Sequence, residues 1–365
     1  MTVRGTRRSV MVGAGATATA LMTGGLRRAD ERPLGYAVVG LGGYGERIMS
    51  HFASCRSSRL TALVSGTPEK LERFGAMYGV PERSRYSYET FDTIRDNPDV
   101  DIVYVILPNN MHAEYTIRAA QAGKHVMCEK PMATNVADAE AMIAACRAAD
   151  RKLMIGYRSR FEAGNIEAVR MIRDGALGKL SVVTAEHGFN AGPNQWRLNK
   201  AMAGGGSLAD MGIYSLQAAR YLTGEEPIAV SAMESTDKSD PRFAEVEDRI
   251  NFQLKFPSGV IADCVSAYTA NYNRYRAVGS ENGLDLEPAT AYAGQTMRVG
   301  NPWAPLEPHA IPPQPLNQFA GMLDHLSDCV RSGAEPLVSG EEGLRDMKLI
   351  EAIYRAAREQ RTIQL

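Results

Sequence analysis

Residues 34–45 read Leu34-Gly35-Tyr36-Ala37-Val38-Val39-Gly40-Leu41-Gly42-Gly43-Tyr44-Gly45. A short apolar run leads directly into G-x-G-x-x-G, and a segment of helical composition, residues 46–53, follows. Strand, glycine turn and helix in this order form the fingerprint of a dinucleotide-binding βαβ unit. Gly40 permits the tight turn, Gly42 admits a pyrophosphate close to the backbone, and Gly45 lets helix and strand pack. Leu41, Gly43 and Tyr44 complete the loop, whose free N–H groups at the helix N-terminus suit an anion.

The alternation continues outward. Strands are predicted over residues 60–64, 101–107, 125–128 and 152–155, with helices over 69–78, 113–122 and 137–149 between them. Such a βαβ rhythm predicts a parallel sheet covered on both faces, with ligands at the C-terminal strand ends. Asn109, His112, Glu129 and Lys130 all follow such ends, and Leu107 closes the 101–107 strand. The second strand closes on Ser65-Gly66-Thr67-Pro68-Glu69-Lys70, without the carboxylate that usually holds a ribose 2′-hydroxyl. Ser65 and Thr67 can donate hydrogen bonds to a 2′-phosphate and Lys70 can supply charge, with Gly66 in the same turn, so the expected coenzyme is NADP(H).

Further along, strand composition marks residues 182–187, 229–233, 249–256, 260–268 and 274–280, and Pro257-Ser258-Gly259 is a hairpin-like turn between two of them. Residues 320–330 and 343–358 read as closing helices. Hydrophobic residues make up 44% and charged residues 23%, an ordinary globular mixture. A net charge of -1 and the lack of a basic stripe give no support for nucleic-acid binding. Five irregularly spaced cysteines and six histidines without ligand spacing predict neither a disulfide framework nor a metal site.

The first residues include Arg7-Arg8, followed by a weakly apolar stretch rich in Gly, Ala and Thr to about Leu26. This layout resembles a twin-arginine export signal and implies a periplasmic enzyme without stable membrane insertion of the mature chain. No A-x-A cleavage site is evident, which leaves a cleaved leader and a retained anchor both open.

Two motifs narrow the class. Glu129-Lys130-Pro131 ends a strand of the dinucleotide module, and Gly204-Gly205-Gly206-Ser207-Leu208-Ala209-Asp210-Met211-Gly212-Ile213-Tyr214 lies well downstream. Together with Leu107-Pro108-Asn109, Met154-Ile155-Gly156-Tyr157-Arg158, Gln195-Trp196-Arg197 and Gly340-Glu341-Glu342-Gly343, they resemble the Gfo/Idh/MocA oxidoreductases from about Leu34 to the C-terminus. Most of that family has His at the last position of the glycine motif. Tyr214 is similar to the glucose–fructose and aldose–aldose oxidoreductase branch.

The resemblance implies an α/β Rossmann domain (33–155) behind a leader and short arm (1–32). A second domain (156–365) would be an open, mainly antiparallel sheet with closing helices, its back available for a homo-oligomer, dimer or tetramer. It implies Lys130, Asp210 and Tyr214 as the catalytic trio. A free tyrosine has a pKa of about 10, and an adjacent ammonium favours the phenolate. Asp210, four residues before Tyr214, would share a helical face with it. Arg158, Trp196, Arg197 and Tyr292 match positions near the nicotinamide. The branch further implies a tightly held NADP(H) that carries hydride from one sugar to a second. The alternatives are an ordinary dehydrogenase with exchangeable coenzyme and a non-catalytic sugar or coenzyme sensor. One departure is the arm: only residues 27–33 separate the leader from the first strand, whereas glucose–fructose oxidoreductase covers its coenzyme with a long one.

Overall fold

The computed structural model describes residues 32–365, so the leader expectation lies outside the described residues. Residues 33–365 form one compact unit.

The first half contains β1 (Leu34–Val39), α1 (Gly43–His51), β2 (Ser58–Val64), α2 (Pro68–Tyr78), β3 (Arg85–Tyr86), β4 (Ile102–Val105), α3 (His112–Gln121), β5 (His125–Cys128), α4 (Val136–Ala148) and β6 (Leu153–Ile155). These strands make a six-stranded parallel sheet in the order β3-β2-β1-β4-β5-β6, the doubly wound arrangement the glycine fingerprint predicts. Alternate strand residues serve opposite faces. Ala37, Val39, Val103, Val105 and Val126 join the larger core, whereas Tyr36, Val38, Ile102, Tyr104 and Met127 join a smaller one with Ile48 and Met49 of α1. Local chemistry punctuates the helices. Pro68 opens α2, left-handed Gly79 closes it, and the Asn135 side chain caps α4 at the N–H of Asp138.

The second half runs α5 (Ala163–Arg173), β7 (Leu180–Gly188), α6 (Lys200–Ala203), α7 (Ile213–Thr223), β8 (Ala229–Ser235), β9 (Arg249–Lys255), β10 (Ile261–Ala267), β11 (Tyr272–Gly279), β12 (Gly283–Glu287), β13 (Thr296–Gly300), β14 (Glu307–His309), α8 (Gln318–Ser332), α9 (Gly340–Glu359) and β15 (Ile363–Gln364). Its nine-stranded sheet has the order β14-β13-β12-β11-β7-β10-β9-β8-β15. Adjacent strands are antiparallel except β7 and β10. The expected turn at Pro257-Ser258-Gly259 joins β9 to β10, with Gly259 at φ +92°. Helix α7 packs on β7 and β10. The opposite face of β9 alternates to exposed Asn251, Gln253 and Lys255.

One helix crosses the expected 155/156 boundary. Helix α8, assigned by sequence to the second domain, returns to the Rossmann sheet. Its stripe of Phe319, Met322, Leu323 and Leu326 fills the smaller core. The backbone N–H groups of Arg56 and Ser57 donate to Asp324, and the Tyr36 hydroxyl donates to the Leu323 carbonyl at 2.7 Å. A sheet made of buried apolar strands needs cover on both faces, and this late helix supplies part of it.

Candidate active site

The glycine turn is shaped by close approach. Gly40 has φ +98°, and a Cβ there would lie 2.0 Å from the Ile106 carbonyl oxygen. At Gly45 a Cβ would lie 2.2 Å from the Gly40 oxygen, whereas at Gly42 and Gly43 it would meet no protein atom within 4 Å. The turn is therefore tight on the strand side and open on the cleft side. No side chain caps α1, which leaves its first N–H groups facing that opening. This geometry fits a dinucleotide pyrophosphate.

A cleft of about 920 Å³ extends from the turn. It is lined by Gly40, Leu41, Gly42, Gly43, Tyr44, Gly45, Ser65, Gly66, Lys70, Leu107, Asn109, Glu129, Lys130, Arg158, Trp196, Arg197, Asp210, Tyr214 and Tyr292. His112 is the one expected site residue that the fold keeps out. It is fully buried, with its ring nitrogens 2.9 Å from the carbonyls of Leu107 and Pro131. It braces the end of β4 against the Glu129-Lys130-Pro131 segment, and burial lowers its pKa.

Lys130 and Asp210 meet from positions eighty residues apart. The Lys130 ammonium donates to the Asp210 backbone carbonyl at 2.7 Å and to Oδ1 at 3.1 Å. It also lies 4.6 Å from the centroid of the Tyr214 ring. The side chains of Lys130 and Asp210 are only 13% and 15% exposed. Burial pushes both groups toward the neutral form, and their charged neighbours outweigh it. Against burial, Tyr214 and Asp210 hold the Lys130 pKa above its ordinary value, and Lys130 and Arg197 hold that of Asp210 below. Asp210 Oδ2 accepts from the Tyr268 hydroxyl at 3.1 Å and lies 3.3 Å from Arg197 Nε.

Asp210 and Tyr214 do not share one α-helix, contrary to the sequence reading. Asp210 sits in a π-helical turn, Leu208–Gly212, and Tyr214 lies in the first turn of α7. Such turns recur at functional sites. Here the turn is fixed by the Glu247 carboxylate, which accepts from the N–H groups of Gly206 and Leu208 at 2.9 Å each.

Arg158 is buried and donates to Gln318 Oε1 and to the Thr290 carbonyl, both at 2.6 Å. Tyr292 lies between two guanidinium groups, with Arg47 Cζ 4.2 Å and Arg158 Cζ 4.6 Å from its ring centroid. The Arg197 guanidinium lies 4.5 Å from the Trp196 ring centroid. Glu129 accepts a hydrogen bond from Tyr104, and burial raises its pKa. Cys128 is buried packing, and burial raises its thiol pKa as well.

Sequence reasoning missed several contributors. Tyr268 was only the last residue of a predicted strand. Thr290, Gln318 and Asn273 lie where no motif singles them out. His187 is fully buried, its ring centroid 5.7 Å from that of Tyr214. Burial, Arg158 and Lys130 hold its pKa down to about 3, so it is neutral and a poor proton acceptor. No spacing rule links any of these residues to Lys130, because their neighbours come from the tertiary fold.

A glycine turn for a dinucleotide, joined at one cleft to a buried lysine, a carboxylate and a phenol, defines a nicotinamide-nucleotide oxidoreductase. The chain belongs to the Gfo/Idh/MocA oxidoreductase family. Residues 34–157 match the family's NAD-binding Rossmann fold, and residues 166–285 match a GFO/IDH/MocA C-terminal domain. The chain is 30% identical to D-xylose 1-dehydrogenase [NADP(+)] of Haloarcula marismortui, over 94% of this chain and 98% of that one. It is 29% identical to D-apiose dehydrogenase of Paraburkholderia graminis, over 90% and 89%. The crystal structure of aldose-aldose oxidoreductase from Caulobacter crescentus, complexed with glycerol, superposes with a TM-score of 0.90 at 65% identity, over 92% of this chain and all of that one.

Proposed function

We propose that this chain oxidises an aldose at C1 to the lactone and passes the hydride to a second sugar through a tightly held NADP(H). The observation that carries the reading is the packing of the Lys130 ammonium against both Tyr214 and Asp210 in the cleft of the glycine turn. The 65% identity to an aldose–aldose oxidoreductase supports the sugar class. When bound, the nicotinamide supplies the hydride acceptor and, once reduced, the donor. The protein handles the proton. Tyr214 takes the proton of the C1 hydroxyl, and the Lys130 ammonium stabilises the phenolate while Asp210 holds Lys130 in place. Arg158 and Tyr292 frame the same cleft.

NADP rather than NAD is supported by Ser65, Gly66 and Lys70 on the cleft wall, with no carboxylate closing β2. Retention is supported by Tyr292, which reaches across to Arg47 of α1 beside the glycine turn. The test is to add single aldoses, then pairs, to purified protein without added coenzyme. Aldose alone should raise NADPH fluorescence, and a second sugar should quench it. A need for added NADP at every turnover would establish the exchangeable-coenzyme alternative.

The twin arginines support export by the folded-protein route. Replacing Arg7 and Arg8 with Lys should retain the enzyme in the cytoplasm, and unchanged periplasmic activity would refute the assignment. The outer sheet face, with Met233 81% and Ile261 43% exposed, is the proposed self-association surface. Ile261→Lys should lower the mass in solution, and an unchanged mass would remove that face from consideration.

A further inference from the structure

We infer that Asn273 is a substrate-binding residue that donates a hydrogen bond to a sugar oxygen other than the one losing its proton. This deepens the proposed sugar oxidation and rests on it.

Asn273 lies on β11 opposite His187 of β7. Tyr275 and Ala277, two and four residues on, are buried, so the strand's alternation turns Asn273 toward the same inner face. Tyr214 packs over that row through His187, and Asn273 itself lines the cleft.

The orientation of the amide is settled by chemistry. The Thr290 backbone N–H donates to Oδ1 at 2.7 Å, and the Thr290 hydroxyl donates to it at 2.9 Å. A backbone N–H has no acceptor capacity, so the atom it meets is the amide oxygen. The NH2 group must therefore point the other way. Among the described residues no protein acceptor engages it. Thr290 is fixed in turn, since its carbonyl accepts from Arg158. Asn273 thus presents a donor to the cleft from β11, beside β7, whose His187 ring packs against that of the proposed base.

Its surroundings define what it can take. Asp210, the nearby carboxylate, already meets Lys130, Arg197 and Tyr268. A free N–H pair in this place needs lone pairs from a ligand, and the hydroxyl and ring oxygens of a sugar supply them. A site built to hydrogen-bond a substrate oxygen discriminates strongly against analogues that lack it.

The test compares wild type with Asn273→Asp. This variant keeps an acceptor for both Thr290 donors and removes the NH2 group. With parent aldoses its kcat/KM should fall about tenfold or more, mainly through KM. For one monodeoxy aldose, the one lacking the contacted oxygen, the two proteins should agree within about threefold. NADP(H) affinity, read by fluorescence titration, should not change. Equal KM values on every sugar would overturn the inference, as would a loss that follows coenzyme affinity. If wild type turns over no sugar pair, the functional reading itself fails, a result distinct from either.

Discussion

The two walls of the cleft are built by different rules. The glycine-turn wall is built to meet a pyrophosphate with backbone: consecutive residues 40–45 form it, and its fit is a matter of which Cβ atoms are absent. The catalytic wall works through side chains drawn from both halves: Lys130 after β5 of the Rossmann sheet itself, Asp210 in a π turn, Tyr214 in α7 and Tyr268 after β10. The first wall tolerates change in its surroundings so long as the turn survives. The second is a coupled set: Lys130 and Asp210 hold one another charged, and Arg197 and Tyr268 engage the same carboxylate. Loss of one member should therefore cost more than its own contact.

The largest difference is expected at Asp210. In Asp210→Asn, Lys130 keeps the backbone carbonyl but loses the carboxylate that fixes its charge. Steady-state kcat should fall about 100-fold, with coenzyme affinity retained. An effect below about threefold would mean that the side-chain wall is not coupled. A smaller and opposite signature is expected at Gly42→Ala. The added methyl meets no protein atom, so the melting temperature should hold, but the methyl projects toward the pyrophosphate position and NADP(H) affinity should drop about tenfold. Unchanged affinity would move the pyrophosphate elsewhere.

The smallest effect is on stability against pH. Asp210 is held below its ordinary 3.8, so its contribution is present above that pH and is lost as pH falls through the lowered value. Lys130 is held above its ordinary 10.5, so its contribution is present below that pH and is lost as pH rises through the raised value. Denaturation of wild type and Asp210→Asn should therefore differ by a constant amount from about pH 5 to 9, and the gap should narrow below about pH 4. A gap that widens in acid would reverse the assigned charges.

The same contrast explains what the sequence disclosed. The backbone wall was legible because its geometry is local: a strand, a turn and a helix within eighteen residues, Leu34 to His51. Lys130, Asp210 and Tyr214 were found through motif resemblance, not spacing. Their partners were not legible, because Tyr268, Asn273 and Thr290 acquire meaning only when β7, β10 and β11 are laid side by side. His112 failed for a related reason. A residue after a strand end can turn inward as readily as toward the cleft, and two carbonyls drew it inward. Helix α8 read correctly as a helix, but only the packed structure shows that its apolar stripe belongs to the first sheet.

The central claim is that the Tyr214 phenol, served by the Lys130 ammonium, accepts the sugar's proton. Stopped-flow reduction of the enzyme's NADP by a saturating aldose tests it in one turnover, with Tyr214→Phe compared against wild type. The account predicts a rate lower by about three orders of magnitude with coenzyme binding intact. A rate within about threefold of wild type would contradict it.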